Sequence, residues 1–117
     1  MRILVVEDDF VSREIMKEII EKNVYFAKSG KEGYDIFIKN YNKNKFDLIF
    51  LDVMMPEMNG LTLLKKIRSY ETDFKTKIIM ISALDDIKTI KEAKKIGCDD
   101  YIIKPIEPNE IREIIGG

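Results

Sequence analysis

Four short apolar runs in this chain end in residues of the kinds used for metal and phosphoryl chemistry. Ile3-Leu4-Val5-Val6 runs into Glu7-Asp8-Asp9, Leu48-Ile49-Phe50-Leu51 into Asp52, Ile78-Ile79-Met80-Ile81 into Ser82, and Tyr101-Ile102-Ile103 into Lys104. An unbroken apolar run reads as a strand buried on both faces, so each polar residue marks a strand's carboxyl end. Carboxylates gathered at one sheet edge repel one another unless a positive charge lies among them. A divalent cation supplies that charge. An all-oxygen set with few protein donors suits Mg2+, which keeps several waters and takes further oxygens from a phosphoryl group. Lys104 adds a point charge and Ser82 a hydroxyl donor, together able to hold free phosphoryl oxygens. Asp52 is then the nucleophile of an in-line displacement forming an aspartyl phosphate, while the cation and Lys104 neutralise developing charge.

Each residue also has a plainer role. Asp52 lies too far upstream to cap the helix that opens near Gly60, and Asn59 serves that end better. Asp9 reads as the cap of the first helix rather than a ligand, Ser82 could cap the helix after it, and Lys104 could pair with a surface acid. Their convergence on one edge of one sheet favours the chemical reading.

Composition narrows the alternatives. At 117 residues the chain fits one domain with a single core, and a second domain is excluded. A net charge of −1 argues against a broad footprint for nucleic acid or anionic lipid. With no histidine there is no imidazole base and no ordinary zinc site, which sets aside hydrolase triads and zinc hydrolysis. The single Cys98 excludes an internal disulfide and reads as a small core residue beside Gly97. No signal-type or membrane-length apolar segment is present, so a reducing, cytoplasmic setting is expected.

The intervening segments supply the positioning elements. Phe10, Val11, Ile15, Met16, Ile19 and Ile20 recur at helical spacing, which predicts a first helix to about Glu21 or Lys22. Val24-Tyr25-Phe26-Ala27 is a short strand. Ser29 with Glu32 has the form of a capping box opening a helix through Phe37 and Ile38, and Asn40 to Lys45 reads as an exposed loop. Leu61, Leu64 and Ile67 mark a third helix. Ile87, Ile90, Ala93 and Ile96 trace the inner face of a fourth that stops at Gly97, with Lys88, Lys91, Lys94 and Lys95 on its solvated face. Pro108 introduces a short last helix carrying Ile111, Ile114 and Ile115. Strand and helix thus alternate five times, giving an α/β sandwich with an all-parallel sheet covered on both faces. Ligands in such sheets bind beyond the strands' carboxyl ends.

The motifs Val5-Val6-Glu7-Asp8-Asp9, Leu51-Asp52-Val53-Met54-Met55-Pro56-Glu57-Met58-Asn59-Gly60, Ser82-Ala83 and Tyr101-Ile102-Ile103-Lys104-Pro105 resemble those of the receiver domains of two-component response regulators. The resemblance runs in order and spacing from about Arg2 to the end. It implies a doubly wound, flavodoxin-like (βα)5 fold of strand order 2-1-3-4-5, with residues 1–117 a single receiver domain and no output domain. It makes Asp52 the phosphoacceptor and Asp8 a direct metal ligand, with Glu7 acting through water and the Met54 backbone carbonyl as third protein ligand. Mg2+ is the implied ion, with Mn2+ as a substitute. Ser82 becomes the switch hydroxyl, Lys104 the phosphate-binding lysine, and Tyr101 the aromatic that turns inward when Ser82 moves. The Lys104-Pro105 bond is expected to be cis. The implied partners are a sensor histidine kinase or histidine phosphotransfer protein as donor, and a protein target on the face of the fourth helix, fifth strand and fifth helix. The implied chemistry is self-phosphorylation with slow dephosphorylation, in service of a signalling switch.

This chain departs from the family pattern in places. Asn59 replaces the usual Asp, the turn after Glu21 is short, and the loop from Tyr41 to Lys45 is long. Ile90 and Ile114 stand where winged-helix regulators carry charge, which disfavours a DNA-binding regulator. Met54 and Leu84, two residues after Asp52 and Ser82, cannot orient a water, so slow self-dephosphorylation is expected. A Mg2+-dependent phosphohydrolase is the alternative, but Met54 occupies the place of a second acid and no cap excludes water. A flavin carrier lacks a phosphate loop, since Glu7-Asp8-Asp9 would repel the anion.

Overall fold

A computed structural model describes residues 1–116; Gly117 lies outside the described residues. The chain alternates β1 (Ile3–Val6), α1 (Phe10–Ile19), β2 (Val24–Ala27), α2 (Gly30–Tyr41), β3 (Leu48–Leu51), α3 (Gly60–Tyr70), β4 (Lys77–Ser82), α4 (Ile87–Ile96), β5 (Asp100–Ile103) and α5 (Pro108–Gly116). All strand pairs are parallel, in the order β2-β1-β3-β4-β5. Burial follows position. The central β1 and β3 are buried at every residue, whereas the edge strands β2 and β5 show partly exposed positions.

Side chains alternate across the sheet, and the strands divide accordingly between two cores. Leu4, Val6, Ile49, Leu51, Ile78 and Met80 pack with Phe37, Tyr41, Leu63, Leu64, Ile67 and Ala93, residues of α2, α3 and α4. Ile3, Val5, Leu48, Phe50, Ile79, Ile81 and Ile102 pack with Met16, Ile20 and Ile111, on the side of α1 and α5. Each layer thus covers one face of the doubly wound sandwich.

Helix boundaries differ from expectation in two places. α1 ends at Ile19, short of Glu21 or Lys22. The chain must reverse into β2 at Val24, and does so with Ile20 extended and Asn23 at a φ of 58°. α2 runs to Tyr41, past Ile38 and into the expected loop. Tyr41 is buried, its phenol donating to the Phe74 carbonyl at 2.6 Å and accepting from the amides of Thr72 and Phe74. That burial extends the helix against local polarity.

Two expected inner faces also shift. Ile87, the first residue of α4, is 69% exposed, and only Ala93 of that helix is fully buried. Phe10, Val11 and Ile15 are likewise exposed, since α1 seats itself on Ser12 and Met16. Cys98 is buried, and the four α4 lysines are exposed.

Candidate functional site

Strand register brings the site together. Val6 pairs with Leu51, so the next residues of β1 and β3 lie side by side, and the ladder continues through the Asp52 amide to the Val6 carbonyl at 3.1 Å. Ser82 pairs with Ile103, and the Lys104 amide donates to the Ser82 carbonyl at 2.9 Å. Side-chain alternation then sorts the polar ends. Glu7 follows Ile3 and Val5, Asp52 follows Leu48 and Phe50, and Lys104 follows Ile102, all on the α1/α5 side. Ser82 and Tyr101 fall on the opposite side, with Met80 and the α3/α4 core.

Glu7 and Asp52 are 3% and 5% exposed. The Lys104 ammonium donates to Glu7 Oε1 at 2.7 Å and to Asp52 Oδ2 at 3.2 Å. The remaining carboxylate oxygens take backbone donors: the Asp9 amide reaches Glu7 Oε2 at 3.2 Å, and the Met54 amide reaches Asp52 Oδ1 at 3.1 Å. Asp8 completes the cluster from the exposed side, and one carboxylate oxygen from each of Glu7, Asp8 and Asp52 lies within 4.8 Å of the others. The Lys104–Pro105 peptide bond is cis.

The cluster is short of positive charge. Three carboxylates share the single ammonium of Lys104. Burial, reinforced by Asp52, pushes the Glu7 carboxyl up to about 7, against the pull of Lys104. Burial opposes the Lys104 charge, but the hydrogen bond to Glu7 and the charge of Asp52 outweigh it and raise that pKa. A hard divalent cation fits what is missing: the donors are oxygen only, and they crowd around an uncompensated negative charge.

The loops hold this arrangement. Asp9 caps α1, its carboxylate accepting from the Ser12 amide at 2.8 Å and thereby held below its usual pKa. Arg13 donates to the carbonyls of Glu7 at 3.0 Å and Asp8 at 2.8 Å, fixing the acidic turn. Sequence reasoning missed Arg13; the signal was a cation one turn after an acidic cap. Asn59 caps α3 through the Thr62 amide at 2.9 Å, leaving Asp52 free of that task. At Gly60 a Cβ would lie 2.1 Å from the Asp52 carbonyl oxygen, so only glycine lets α3 start this close to the end of β3.

On the other side of the sheet end, Ser82 is fully buried and accepts from the Leu84 amide at 3.2 Å. It does not cap α4; Asp86 does, through the Thr89 amide. The Tyr101 ring is half-buried against the α3/α4 core, its phenol donating to the Leu84 carbonyl at 2.8 Å, and burial pushes that phenol's pKa up. Leu84 thus links Ser82 to Tyr101. Met54, 55% exposed, lines a shallow depression with Leu84 and Asn59 beside Asp52.

The family model described as response regulator receiver domain matches residues 3–116. The chain belongs to the response regulator receiver domain family. This receiver is 33% identical over 114 residues to the chemotaxis protein CheY of Bacillus subtilis, covering 97% of this chain and 93% of that protein. It is 38% identical over 115 residues to the transcriptional regulatory protein CrdR of Helicobacter pylori, covering 94% of this chain and 51% of that regulator. The receiver therefore spans about half the length of one relative and nearly all of the other. Among solved structures it matches one chain of the CheX-CheY-BeF3-Mg+2 complex from Borrelia burgdorferi with a TM-score of 0.86 and 25% identity, over 98% of this chain and 86% of that one. The receiver is thus of CheY type, and no helix among its described residues is long and apolar enough to cross a membrane.

Proposed function

We propose that this receiver accepts a phosphoryl group on Asp52 from a phosphohistidine donor, a sensor histidine kinase or a histidine phosphotransfer protein, and signals by changing a protein-binding face. The observation that carries the proposal is the Glu7, Asp8, Asp52 and Lys104 cluster at the carboxyl ends of β1, β3 and β5. Asp8, Asp52 and the Met54 carbonyl would hold Mg2+, or Mn2+ in its place, with Glu7 acting through water. When bound, the ion neutralises charge on the transferring phosphoryl oxygens. The Asp52 carboxylate attacks phosphorus in line; the new O–P bond forms as the P–N bond breaks, its electron pair staying on the donor's imidazole nitrogen. Lys104, already on Asp52, is placed to follow charge onto the phosphoryl oxygens.

Ser82 carries the signal onward. Drawn toward the new phosphoryl group, its hydroxyl gives up the Leu84 amide, whose carbonyl holds the Tyr101 phenol. The half-buried Tyr101 ring is then one of two arrangements and the one that phosphorylation favours, shifting the α4, β5 and α5 face toward the form on which a protein target docks. Exposed Phe10, Val11 and Ile15 of α1 give the donor an apolar surface beside the acids. The unit proposed is one receiver domain, residues 1–117, working in the cytoplasm without direct contact to nucleic acid or membrane.

Incubation with phosphoramidate, a small P–N donor, followed by phosphorus NMR tests this reading. Stoichiometric formation of a protein acyl phosphate, lost in Asp52→Asn, is expected. Continuous release of phosphate from an ester substrate without an accumulating adduct would instead establish a phosphohydrolase.

A further inference from the structure

The net charge of −1 conceals a segregation of charge. The neighbouring helices α3 and α4 expose Lys65, Lys66, Lys88, Lys91, Lys94 and Lys95, and Glu92 is the only acid on either helix. These seven side chains carry five net positive charges, which leaves six net negative charges on the rest of a chain whose total is −1, once the internally paired Arg68 is counted with that rest. None of the six lysines has an ion-pair partner among the described residues. Lys91 and Lys95, one turn apart, repel one another; Lys94 and Lys95 suit the last turn of α4, but Lys65, Lys66, Lys88 and Lys91 lie outside the last turns of their helices.

Between the two helices runs a groove of about 480 Å3, lined by Leu61, Thr62, Lys65, Glu92, Lys95 and Ile96. Its floor is apolar and half-buried at Leu61 and Ile96, with one lysine from each helix beside it. We propose that this face docks an acidic, amphipathic segment of a protein partner, with carboxylates on Lys65, Lys95 and the flanking lysines and apolar side chains on Leu61 and Ile96. Charge complementarity selects the acid, and the floor selects a protein. A nucleic-acid backbone gains nothing from Leu61 and Ile96 and finds no aromatic ring in the groove on which to stack a base. Every exposed cation of the face is lysine, a point charge suited to carboxylates in varied geometry, without the arginine fork that reads phosphate in pairs of bonds. The proposal does not rest on phosphorylation of Asp52, because groove and charge are present in the unmodified chain.

The test titrates the full 15N-labelled, unphosphorylated chain with three probes: a synthetic helical peptide with glutamate along one stripe and leucine beside it, poly-L-glutamate of equal length, and random-sequence duplex DNA. The peptide is expected to shift the amides of Leu61, Thr62, Lys65, Lys95 and Ile96 and to bind about tenfold or more tightly than either other probe. Lys65→Glu with Lys95→Glu should lower its affinity about tenfold or more, while Lys17→Glu on α1 leaves it unchanged. Should the charge reversal unfold the chain, Lys65→Gln with Lys95→Gln gives the same comparison with a smaller loss. Equal binding of polyglutamate and peptide, tighter binding of DNA, or shifts spread over lysines throughout the chain would overturn the proposal. Loss of the groove signals on concentrating the protein alone would also overturn it, since the occupant would then be a second copy.

Discussion

Glu7→Gln should abolish a pH dependence of stability that the buried Glu7 carboxyl gives this protein. In chelator, the folded chain keeps a proton on Glu7 until about pH 7, whereas a free glutamate releases it near 4.5. Between those values the native state binds more protons than the unfolded one, so stability falls as pH rises and levels off above pH 7. A shift of that size corresponds to at most about 3 kcal/mol. The chain has no histidine to titrate in that window, and Lys104, raised by Glu7 and Asp52, titrates far above it. Urea unfolding followed by circular dichroism between about pH 5 and 8, the range in which histidine would ordinarily dominate, reads the effect as a midpoint shift at constant slope. Wild type should lose up to about 3 kcal/mol across the range, and Glu7→Gln should stay within about 0.5 kcal/mol of flat. Saturating Mg2+ should flatten the wild-type curve by holding Glu7 ionised. Parallel curves for wild type and variant in chelator would refute the reasoning, because burial and Asp52 would then not be holding the Glu7 carboxyl protonated.

Other perturbations follow from the same packing. Gly60→Ala puts a methyl into the Asp52 carbonyl and should cost about 1–3 kcal/mol or more while slowing phosphorylation; unchanged urea stability would show that α3 can retreat. Thr76→Val should be neutral or stabilise by up to about 1 kcal/mol, since the Thr76 hydroxyl is buried without a hydrogen-bond partner, and a clear loss on thermal melting would reveal a partner. Arg68→Met breaks bonds to Glu71, Asp99 and the carbonyls of Thr76 and Gly97, and should cost about 3–5 kcal/mol; a smaller loss would mean that Glu71 and Asp99 are satisfied without it. Met54→Asn supplies an amide that can orient water beside Asp52 and should shorten the phosphoryl lifetime about tenfold, the value of about 1.4 kcal/mol in the transition state; a lifetime unchanged or lengthened removes that argument.

The fold was legible because its signals were redundant. Apolar runs of three or four residues, each closed by a polar residue and followed by a helical period, place the strands with little freedom. Two-fold alternation along Ile3, Val5, Glu7 and Leu48, Phe50, Asp52 then places the acids together. Expectation failed where tertiary contact overrode local pattern. Tyr41 lies in a polar, lysine-rich stretch, yet its ring fills the core and its phenol closes the 72–74 turn, so α2 extends to reach it. Ile87 has the right spacing for a buried face, but periodicity cannot say how much of the first turn of α4 the fold leaves uncovered. Arg13 and Arg68 act through carbonyls and distant acids, partners that no spacing in the sequence announces. The charge on α3 and α4 was visible residue by residue, and only their adjacency turned it into one face.

The most direct test of the central claim is the intact mass of the protein after incubation with acetyl phosphate, with and without Mg2+, for wild type and Asp52→Asn. A gain of one phosphoryl group that requires both Mg2+ and Asp52 is the predicted result. A phosphoryl adduct that survives in Asp52→Asn, or forms equally in chelator, would contradict it.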